Sequence, residues 1–200
     1  MKPGDTVAIV GAGPIGLAAI LTARLYTPSR ILAIDLADSR LARALEFGAD
    51  AVVNNGREDA VDAILAMSDG LGVDVAMEAV GVPQTFELCT ELIRPGGRVA
   101  NIGVHGHSAA FHLEKLWIRD VTVTTGLVDT STTPRLLRLI AEGRLDGTPF
   151  ATHRFPLADT MAAYDVFATP EQTGALKVIL EAEAAAPRAK AVAEPIGATA

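Results

Sequence analysis

The sequence is poor in cysteine and in aromatic residues. It has a single cysteine, Cys89, and aromatic side chains make up 4% of its 200 residues. One thiol excludes an internal disulfide and a cysteine-rich zinc site, and it is typical of a protein of the reducing cytoplasm. Because an unpaired cysteine is usually a small core residue, we expect Cys89 to be buried on a helix rather than reactive.

Positive charge is also scarce. The chain has 17 Lys and Arg against 24 Asp and Glu, a net charge of −7, and its isoelectric point is about 5.0. No run of basic residues follows the pattern of a surface that tracks phosphates along a nucleic acid. We therefore expect a small metabolite as partner and no nucleic acid.

One uncharged stretch, residues 6–23, is long enough to be mistaken for a signal peptide or a membrane span. Its three glycines and its central proline, with Asp5 just before it, favour a strand, a turn and a helix instead. We expect no membrane partner and a cytoplasmic location.

The same stretch holds the motif on which the function depends. An apolar strand, Val7–Val10, runs directly into a Gly-x-Gly-x-x-Gly turn, Gly11-Ala12-Gly13-Pro14-Ile15-Gly16. In this pattern the first glycine allows a tight turn, the second lets a pyrophosphate approach the backbone, and the third lets the helix lie close to the strand. The free N–H groups and the positive dipole end of that helix would face the phosphates.

Three glycines alone can also be a purely structural turn, so the following strand decides between the two interpretations. Residues 30–35 form a second apolar strand that ends in Asp35, nineteen residues after Gly16. A carboxylate at that distance can accept hydrogen bonds from the adenosine ribose hydroxyls. We therefore predict a dinucleotide site. We also predict a preference for NAD over NADP, because Asp35 would repel a 2′-phosphate and no Lys or Arg follows it immediately.

Strands and helices then alternate along the chain. The pattern predicts strands at 7–10, 30–35, 51–53, 73–79, 98–104 and 121–125, with helices of about ten residues between most of them. We expect Leu45 to face inward from the second helix and residues 94–97 to end the fourth helix before a strand begins. Such alternation favours right-handed crossovers, and the predicted fold is an α/β Rossmann fold with a doubly wound, six-stranded parallel sheet.

The sequence resembles the zinc-type alcohol dehydrogenases of the medium-chain dehydrogenase/reductase family over about residues 2–180. The segments that carry the resemblance are Lys2-Pro-Gly-Asp-Thr-Val, Gly11 to Gly16, Asp35 with Ser39-Arg40-Leu41, Phe47-Gly-Ala-Asp50, Glu78-Ala-Val-Gly81, Pro95-Gly-Gly-Arg98, Thr152-His-Arg-Phe-Pro-Leu157 and Gly174-Ala-Leu-Lys177.

The resemblance implies three segments. Residues 1–127 would be the coenzyme-binding Rossmann domain, 128–180 the C-terminal closing segment of a catalytic domain, and 181–200 an alanine-rich disordered tail. In this family most of the catalytic domain precedes the coenzyme domain and carries the ligands of the catalytic zinc. We therefore expect a truncated chain or one part of a split enzyme, without zinc and inactive by itself.

The resemblance also implies roles for individual residues. Asp35 matches the ribose-binding acid, and Arg40 matches a basic residue beside the same ribose. Val80, with Ile102, Gly103 and Val104, matches the strand ends that line the nicotinamide pocket. Lys177 matches a position from which a basic residue can approach the pyrophosphate.

The four histidines need separate treatment. His105, His107 and His112 lie close together in sequence, which suggests a metal site. We disfavour that interpretation, because we expect no carboxylate or thiolate beside them to complete a coordination shell. His153 belongs to a family segment, and we expect it to be structural.

The leading hypothesis is the NAD(H)-binding part of a zinc-dependent alcohol or polyol dehydrogenase. Two other hypotheses remain. The first is a nucleotide-binding module without catalytic activity, or a subunit of a split enzyme. The second is a flavoprotein, since Gly-Ala-Gly-Pro-x-Gly also opens many FAD-binding domains. Asp35 in place of the glutamate typical of that group argues against FAD. A short-chain dehydrogenase is disfavoured because neither Tyr26 nor Tyr164 is followed four residues later by lysine.

The last predicted strand, 121–125, would form an outer edge of the sheet. Its β-branched residues offer a template for another strand, and the resembled family commonly pairs there. We therefore expect a homodimer through this strand.

Overall fold

The computed structural model of the protein describes residues 1–128 and 130–182. The chain forms two compact units, Met1–Phe150 and Ala151–Ala200. The predicted boundary at 127/128 follows the family's domain organisation rather than compactness, and it stays a prediction. The predicted disordered tail lies almost wholly outside the described residues.

The first unit is built on a parallel sheet of six strands. Their spatial order is β3-β2-β1-β4-β5-β6, so the strand order reverses beside the first strand. The strands are β1 Thr6–Val10, β2 Arg30–Asp35, β3 Ala51–Asn54, β4 Val73–Glu78, β5 Ile93–Asn101 and β6 Thr122–Thr125. All five pairings are parallel, and the predicted doubly wound Rossmann sheet is confirmed.

Helices connect the strands. In chain order those of the first unit are α1 Pro14–Ala23, α2 Asp38–Glu46, α3 Ala60–Met67, α4 Pro83–Leu92, α5 Leu113–Leu116 and α6 Thr133–Ala141. Proline stands near the start of α1 and of α4, where a missing N–H costs nothing because the first helical N–H groups have no partner in the helix. The Asp59 carboxylate caps α3 by accepting from two backbone N–H groups.

The core lies on both faces of the central strands. Residues Val7 to Val10 of β1 and Ile31 to Ile34 of β2 are at most 3% exposed. Strands covered on both faces read as continuous apolar runs rather than as alternating ones, which is the pattern of these two segments. Cys89 packs into this core from α4, as predicted.

Two details differ from the sequence predictions. Residues 94–97 lie within β5 instead of ending a helix, because β5 starts at Ile93 and its register with β4 shifts between Val73 and Val75. Gly96, with a φ of 74°, makes this irregularity possible. Leu45 is 47% exposed rather than inward, since Leu41 and Ala44 already fill the buried stripe of α2.

The second unit contains a two-stranded parallel sheet, β7 Ala151–Pro156 with β8 Lys177–Glu181. The helices α7 Thr160–Ala168 and α8 Pro170–Thr173 lie between them in the chain. Ala163 and Ala175 are its buried apolar residues among those described. Across residues 1–128 and 130–182, no helix is both long and apolar enough to cross a membrane.

Candidate functional site

The glycine turn joins β1 to α1 at the carboxyl ends of the strands. Gly11 has a φ of 97°, a conformation that strains any other residue, and its N–H donates to the Ile34 carbonyl at 2.8 Å. A Cβ at Gly16 would overlap the Gly11 carbonyl oxygen. The first and third glycines are therefore required by the protein's own packing, as the motif predicts.

Gly13 is different, because no packing contact with the described residues requires a glycine at this position. A Cβ built at Gly13 meets no heavy atom within 4 Å, and its φ of −73° is open to any residue. Gly13 is the N-cap of α1, Pro14 follows at the start of the helix, and no side chain caps the free N–H groups there. Space and unpaired donors together fit an anion at this helix end.

Asp35 ends β2 directly beside this turn. Its side chain is 8% exposed, and its Oδ2 atom accepts a hydrogen bond from the Ala12 N–H at 2.8 Å. Its Oδ1 atom accepts from the N–H groups of Leu36 and Ala37 at 2.8 and 3.0 Å. These bonds fix the carboxylate in one orientation against the glycine turn, so it also holds the turn in place.

Two arginines lie near this acidic end of β2. The Arg40 Nη1 atom is 3.9 Å from Asp35 Oδ2, and its predicted role beside the ribose stays a prediction. Arg57 pairs with Asp38, and Asp38 also accepts from the Asn54 amide at 2.6 Å. Acids and bases therefore alternate around the predicted ribose position, and each arginine has a carboxylate partner.

The ends of β4 and β5 form the other half of the site. Val80, Ile102 and Val104 are 48%, 42% and 86% exposed, although they follow buried strands. A Cβ at Gly81 would come within 2.5 Å of the Val104 carbonyl oxygen, and one at Gly103 would overlap Gly81 and the Glu78 carboxylate. The two turns therefore pack tightly on each other and leave three apolar side chains facing outward.

Ile15 and Ile102 line one cavity of about 330 Å³, together with Met77 and the outer side of α1. The turn after β1 and the end of β5 are thus adjacent on this surface. All the predicted site residues except Lys177 lie on one edge of the sheet, which we call the carboxyl edge and define as residues 11–16, 35–40, 78–82 and 101–105.

Glu78 lies at the centre of this edge and was not predicted to have a role of its own. It is the last residue of β4 and is fully buried. Its Oε1 atom accepts from the N–H groups of Val80 and Gly81, both at 2.8 Å, and from the Thr85 hydroxyl at 2.7 Å. The sequence contained a signal for this role, since Glu78 directly follows an apolar strand. An acid in such a position is rarely buried unless it has hydrogen-bond or ionic partners.

His105 lies beside Glu78, which corrects the expectation that no carboxylate accompanies the histidines. Its Nε2 atom is 2.8 Å from Asn101 Oδ1 and 3.3 Å from Glu78 Oε2. The Asn101 amide donates to the Gly103 carbonyl at 3.1 Å, so its oxygen points towards His105. The expectation failed because Glu78 and Asn101 meet in register across β4 and β5, which sequence proximity does not reveal.

The other histidines do not join this group. His112 Nδ1 lies 3.0 Å from the Glu114 carboxylate, and His112 Nε2 lies 3.9 Å from that of Glu87, so carboxylates accompany it as well. His153 lies in β7 and contacts the Thr152 hydroxyl at 3.0 Å. His107 is exposed.

The described part of the chain contains no group of three or more His, Cys, Asp or Glu side chains that could hold a metal ion. Burial, with a further contribution from the Glu78 charge, raises the pKa of the Cys89 thiol far above its usual range. Cys89 is therefore a protonated core residue and not a thiolate ligand.

Lys177, predicted to approach the pyrophosphate, is exposed at the start of β8 in the second unit. Its role stays a prediction.

A family model described as zinc-binding dehydrogenase matches residues 14–142, more than half of the chain. The chain belongs to the zinc-binding dehydrogenase family. Among its curated relatives is an alcohol dehydrogenase of Cupriavidus necator, 37% identical over 90% of this chain and 50% of that protein. Another is the L-arabinitol 4-dehydrogenase of Hypocrea jecorina, 31% identical over 89% and 48%.

Solved structures agree with this assignment. The zinc dependent alcohol dehydrogenase 2 from Streptococcus pneumonia, in its apo form, superposes with a TM-score of 0.87 and 47% identity over 92% of this chain and 54% of that one. A zinc-binding dehydrogenase from Sinorhizobium meliloti 1021, bound to NADP, superposes with a TM-score of 0.81 and 30% identity, over 90% of this chain and 53% of that one. The chain spans about half the length of the zinc-binding dehydrogenases it matches, and the predicted resemblance to zinc-type alcohol dehydrogenases is confirmed.

Proposed function

We propose that the carboxyl edge binds NAD(H) as the coenzyme portion of an alcohol or polyol dehydrogenase. The observation that carries the proposal is Gly13, whose missing side chain serves no packing purpose, at an uncapped helix N-terminus facing the ordered Asp35 carboxylate. An anion at the helix end and a hydroxyl pair at the acid together describe a dinucleotide. Titration of the chain with NADH, followed by nicotinamide fluorescence, tests it, and absence of saturable binding would refute it.

Within this site each predicted residue has a defined task. Gly11, Gly13, Pro14, Ile15 and Gly16 shape the phosphate turn, and Asp35 binds the adenosine ribose with Arg40 beside it. Val80, Ile102, Gly103 and Val104 line the nicotinamide ring. For Lys177, which lies in the second unit, a role at the pyrophosphate is supported by the family resemblance alone.

The proposed coenzyme is NAD rather than NADP. The fixed Asp35 carboxylate would repel a 2′-phosphate, and both nearby arginines already pair with acids. A relative binds NADP, so the family alone does not decide between the two. Parallel titrations with NADH and NADPH test the preference, and equal or tighter binding of NADPH would refute it.

In the whole enzyme the bound nicotinamide exchanges a hydride with an alcohol, as the names of the two curated relatives suggest. The residues described do not fit a zinc ion, because they offer no three-ligand group. We therefore assign no chemical step to a metal in this chain. We propose that the chain alone contains no stoichiometric zinc and does not oxidise alcohols. Elemental analysis with an NADH-production assay tests both points.

One observation keeps the alternative, a nucleotide-binding module or a subunit of a split enzyme, in consideration. The carboxyl edge offers an uncapped helix end beside an ordered carboxylate, while the described residues assemble no set of metal ligands. Addition of a separately produced catalytic domain distinguishes the two functions: restored turnover favours the enzyme portion, and unchanged inactivity favours the module.

We also propose a cytoplasmic homodimer that pairs through residues 121–125. Support comes from the exposed Thr122, Thr124 and Thr125 on the outermost strand, and the single buried cysteine suits a reducing compartment. Val123 packs on the core, so Thr124→Lys is the cleaner variant. Light scattering should show a dimer that Thr124→Lys converts to monomer, and a monomeric unaltered chain would refute this contact.

A further inference from the structure

The Glu78 carboxylate is bonded on one side only. In the part of the chain that the structure describes, its three hydrogen bonds all reach Oε1, while the fully buried Oε2 atom has no hydrogen-bond partner. Buried polar atoms are almost always paired, and an unpaired carboxylate oxygen is costly to bury. This exception therefore requires an explanation.

The protein supplies little positive charge to balance this carboxylate. Within residues 1–128 and 130–182 no lysine or arginine forms an ion pair with it, and its neighbour of variable charge is His105, at 3.3 Å. That contact lies within ion-pair range but lacks hydrogen-bond geometry, because the Nε2 atom of His105 points to Asn101. Among the described residues, His105 Nδ1 is also buried without a hydrogen-bond partner.

The unpaired oxygen packs against the backbone of Gly103, one of the residues that we assign to the nicotinamide pocket. A Cβ at Gly103 would overlap Oε2, so the carboxylate lies next to the backbone of this partly exposed glycine. On the other side, Oε1 holds the backbone of the exposed Val80. Both residues belong to the proposed ring pocket.

We propose that Glu78 is a specificity-determining residue for the oxidation state of the coenzyme, an inference that rests on the proposed NAD(H) site. Oxidised nicotinamide carries a positive charge and reduced nicotinamide is neutral. A fixed negative charge near the ring attracts the oxidised form, and low-dielectric surroundings strengthen that attraction. The positive charge of the oxidised ring thus compensates a buried negative charge that no described lysine or arginine pairs with.

The substitution Glu78→Gln tests this with little change of shape. The glutamine side chain keeps nearly the same shape and an acceptor oxygen at the position of Oε1, while the charge disappears. Dissociation constants for NAD⁺, NADH and ADP-ribose are measured by calorimetry on the full chain at pH 8, above the range in which histidine usually titrates. We expect the ratio of the NAD⁺ to the NADH constant to rise about tenfold, with ADP-ribose binding unchanged.

A second variant keeps Glu78 and cancels its charge. His105→Lys places an amine beside the carboxylate, whose negative charge favours the protonated ammonium form, and it should raise the same ratio by a similar factor. Asp74→Asn is the matched control, because it removes an acid from the same strand at the opposite end, about 13 Å away at strand rise, and it should leave the ratio unchanged. If Glu78→Gln does not fold by circular dichroism, His105→Lys decides the question.

The proposal is overturned if the ratio changes less than about threefold in both folded variants. It is also overturned if the affinity for all three ligands falls equally. Either result leaves Glu78 a purely structural residue. A wild-type chain that binds none of the three ligands refutes the proposed coenzyme site itself. Failure of the inference and failure of the proposed function are therefore separate results.

Discussion

The two edges of the six-stranded sheet are built from the same strands, but they differ in how completely their polar groups are paired. At the amino edge, formed by residues 5–6, 29–31, 50, 73–74 and 93–96, charged groups have partners: Asp74 accepts from the Thr6 N–H and from Arg94, both at 2.7 Å, and Asp50 accepts from the Ile31 N–H. At the carboxyl edge an uncapped helix end, an open glycine and a buried unpaired carboxylate oxygen remain.

This difference separates residues that stabilise the fold from residues reserved for a ligand. The paired groups at the amino edge stabilise the fold through the contacts that they make with each other. Unpaired groups at the carboxyl edge lower stability unless something else binds them. We therefore expect substitutions at the amino edge to change stability and substitutions at the carboxyl edge to change binding, with Gly16 and Asp35 contributing to both.

Gly16→Val should have the largest effect, because its Cβ would overlap the Gly11 carbonyl oxygen in the tightest part of the turn. We expect a loss of at least about 4 kcal/mol in the free energy of unfolding, a size reserved for severe steric or core defects. Urea unfolding followed by circular dichroism measures it. A variant with a wild-type midpoint would show that the turn is more adaptable than its packing indicates.

Gly13→Val should abolish coenzyme binding while the fold persists. The added side chain enters open space, where we place the pyrophosphate, and we expect NADH affinity to fall at least about 100-fold, or ~2.7 kcal/mol. Valine is a poor N-cap, so stability should fall by no more than about 1 kcal/mol. Gly147→Val, also in open space, is the control that should bind normally. Unchanged NADH binding by Gly13→Val would show that the pyrophosphate does not bind at this turn.

Asp35→Ala should weaken NADH binding about tenfold, the value of one or two charge-assisted hydrogen bonds, and should narrow the difference between NADH and NADPH. Because Asp35 also accepts from the Ala12 N–H, a loss of about 1 kcal/mol in stability should accompany this change. Asp38→Ala removes an exposed acid nearby and should have a smaller effect. Coenzyme titrations that leave the discrimination intact in Asp35→Ala would contradict the ribose assignment.

Asp74→Asn tests the amino edge and should have the smallest effect. Burial raises the pKa of Asp74, but the hydrogen bonds from Thr6 and Arg94 and the Arg94 charge outweigh it, and the pKa lies below its usual 3.8. The charged form therefore stabilises the fold above about pH 4, and this contribution is lost as the pH falls through the lower folded pKa.

Since the Arg94 side chain is 41% exposed, the stability lost in Asp74→Asn at pH 7 should be about 1 kcal/mol or less. The difference from wild type should shrink below pH 3.8, and coenzyme affinity should stay constant. Thermal unfolding at several pH values measures the first point. Weaker NADH binding by Asp74→Asn would contradict the claim that the amino edge affects stability and not coenzyme binding.

The sequence predicted the features that depend on local spacing. The glycine turn and Asp35 are recognisable because a strand, a turn, a helix and a second strand follow one another within 30 residues, and the structure places the Asp35 carboxylate on the Ala12 N–H. Strand positions followed from apolar runs for the same reason. Their ends were less accurate: β5 starts five residues before the predicted Arg98, because the irregular pairing with β4 depends on tertiary contacts.

Glu78 and His105 show what local spacing cannot give. They are 27 residues apart, and they meet because β4 and β5 are parallel neighbours with Glu78 opposite Asn101. Nothing in the segment around either residue specifies the other. The acidic strand end was visible in the sequence, but its burial and its unpaired oxygen depend on strand order and register.

The central claim is that the carboxyl edge is the coenzyme site, and a map of amide chemical shifts on addition of NADH tests it most directly. In a ¹⁵N-labelled sample of the full chain, we expect the largest shifts at the N–H groups of residues 11–16, 35–40 and 101–105, with the amino edge unchanged. Shifts concentrated at residues 29–31, 73–74 or 93–96, or no shifts at millimolar NADH, would contradict the account.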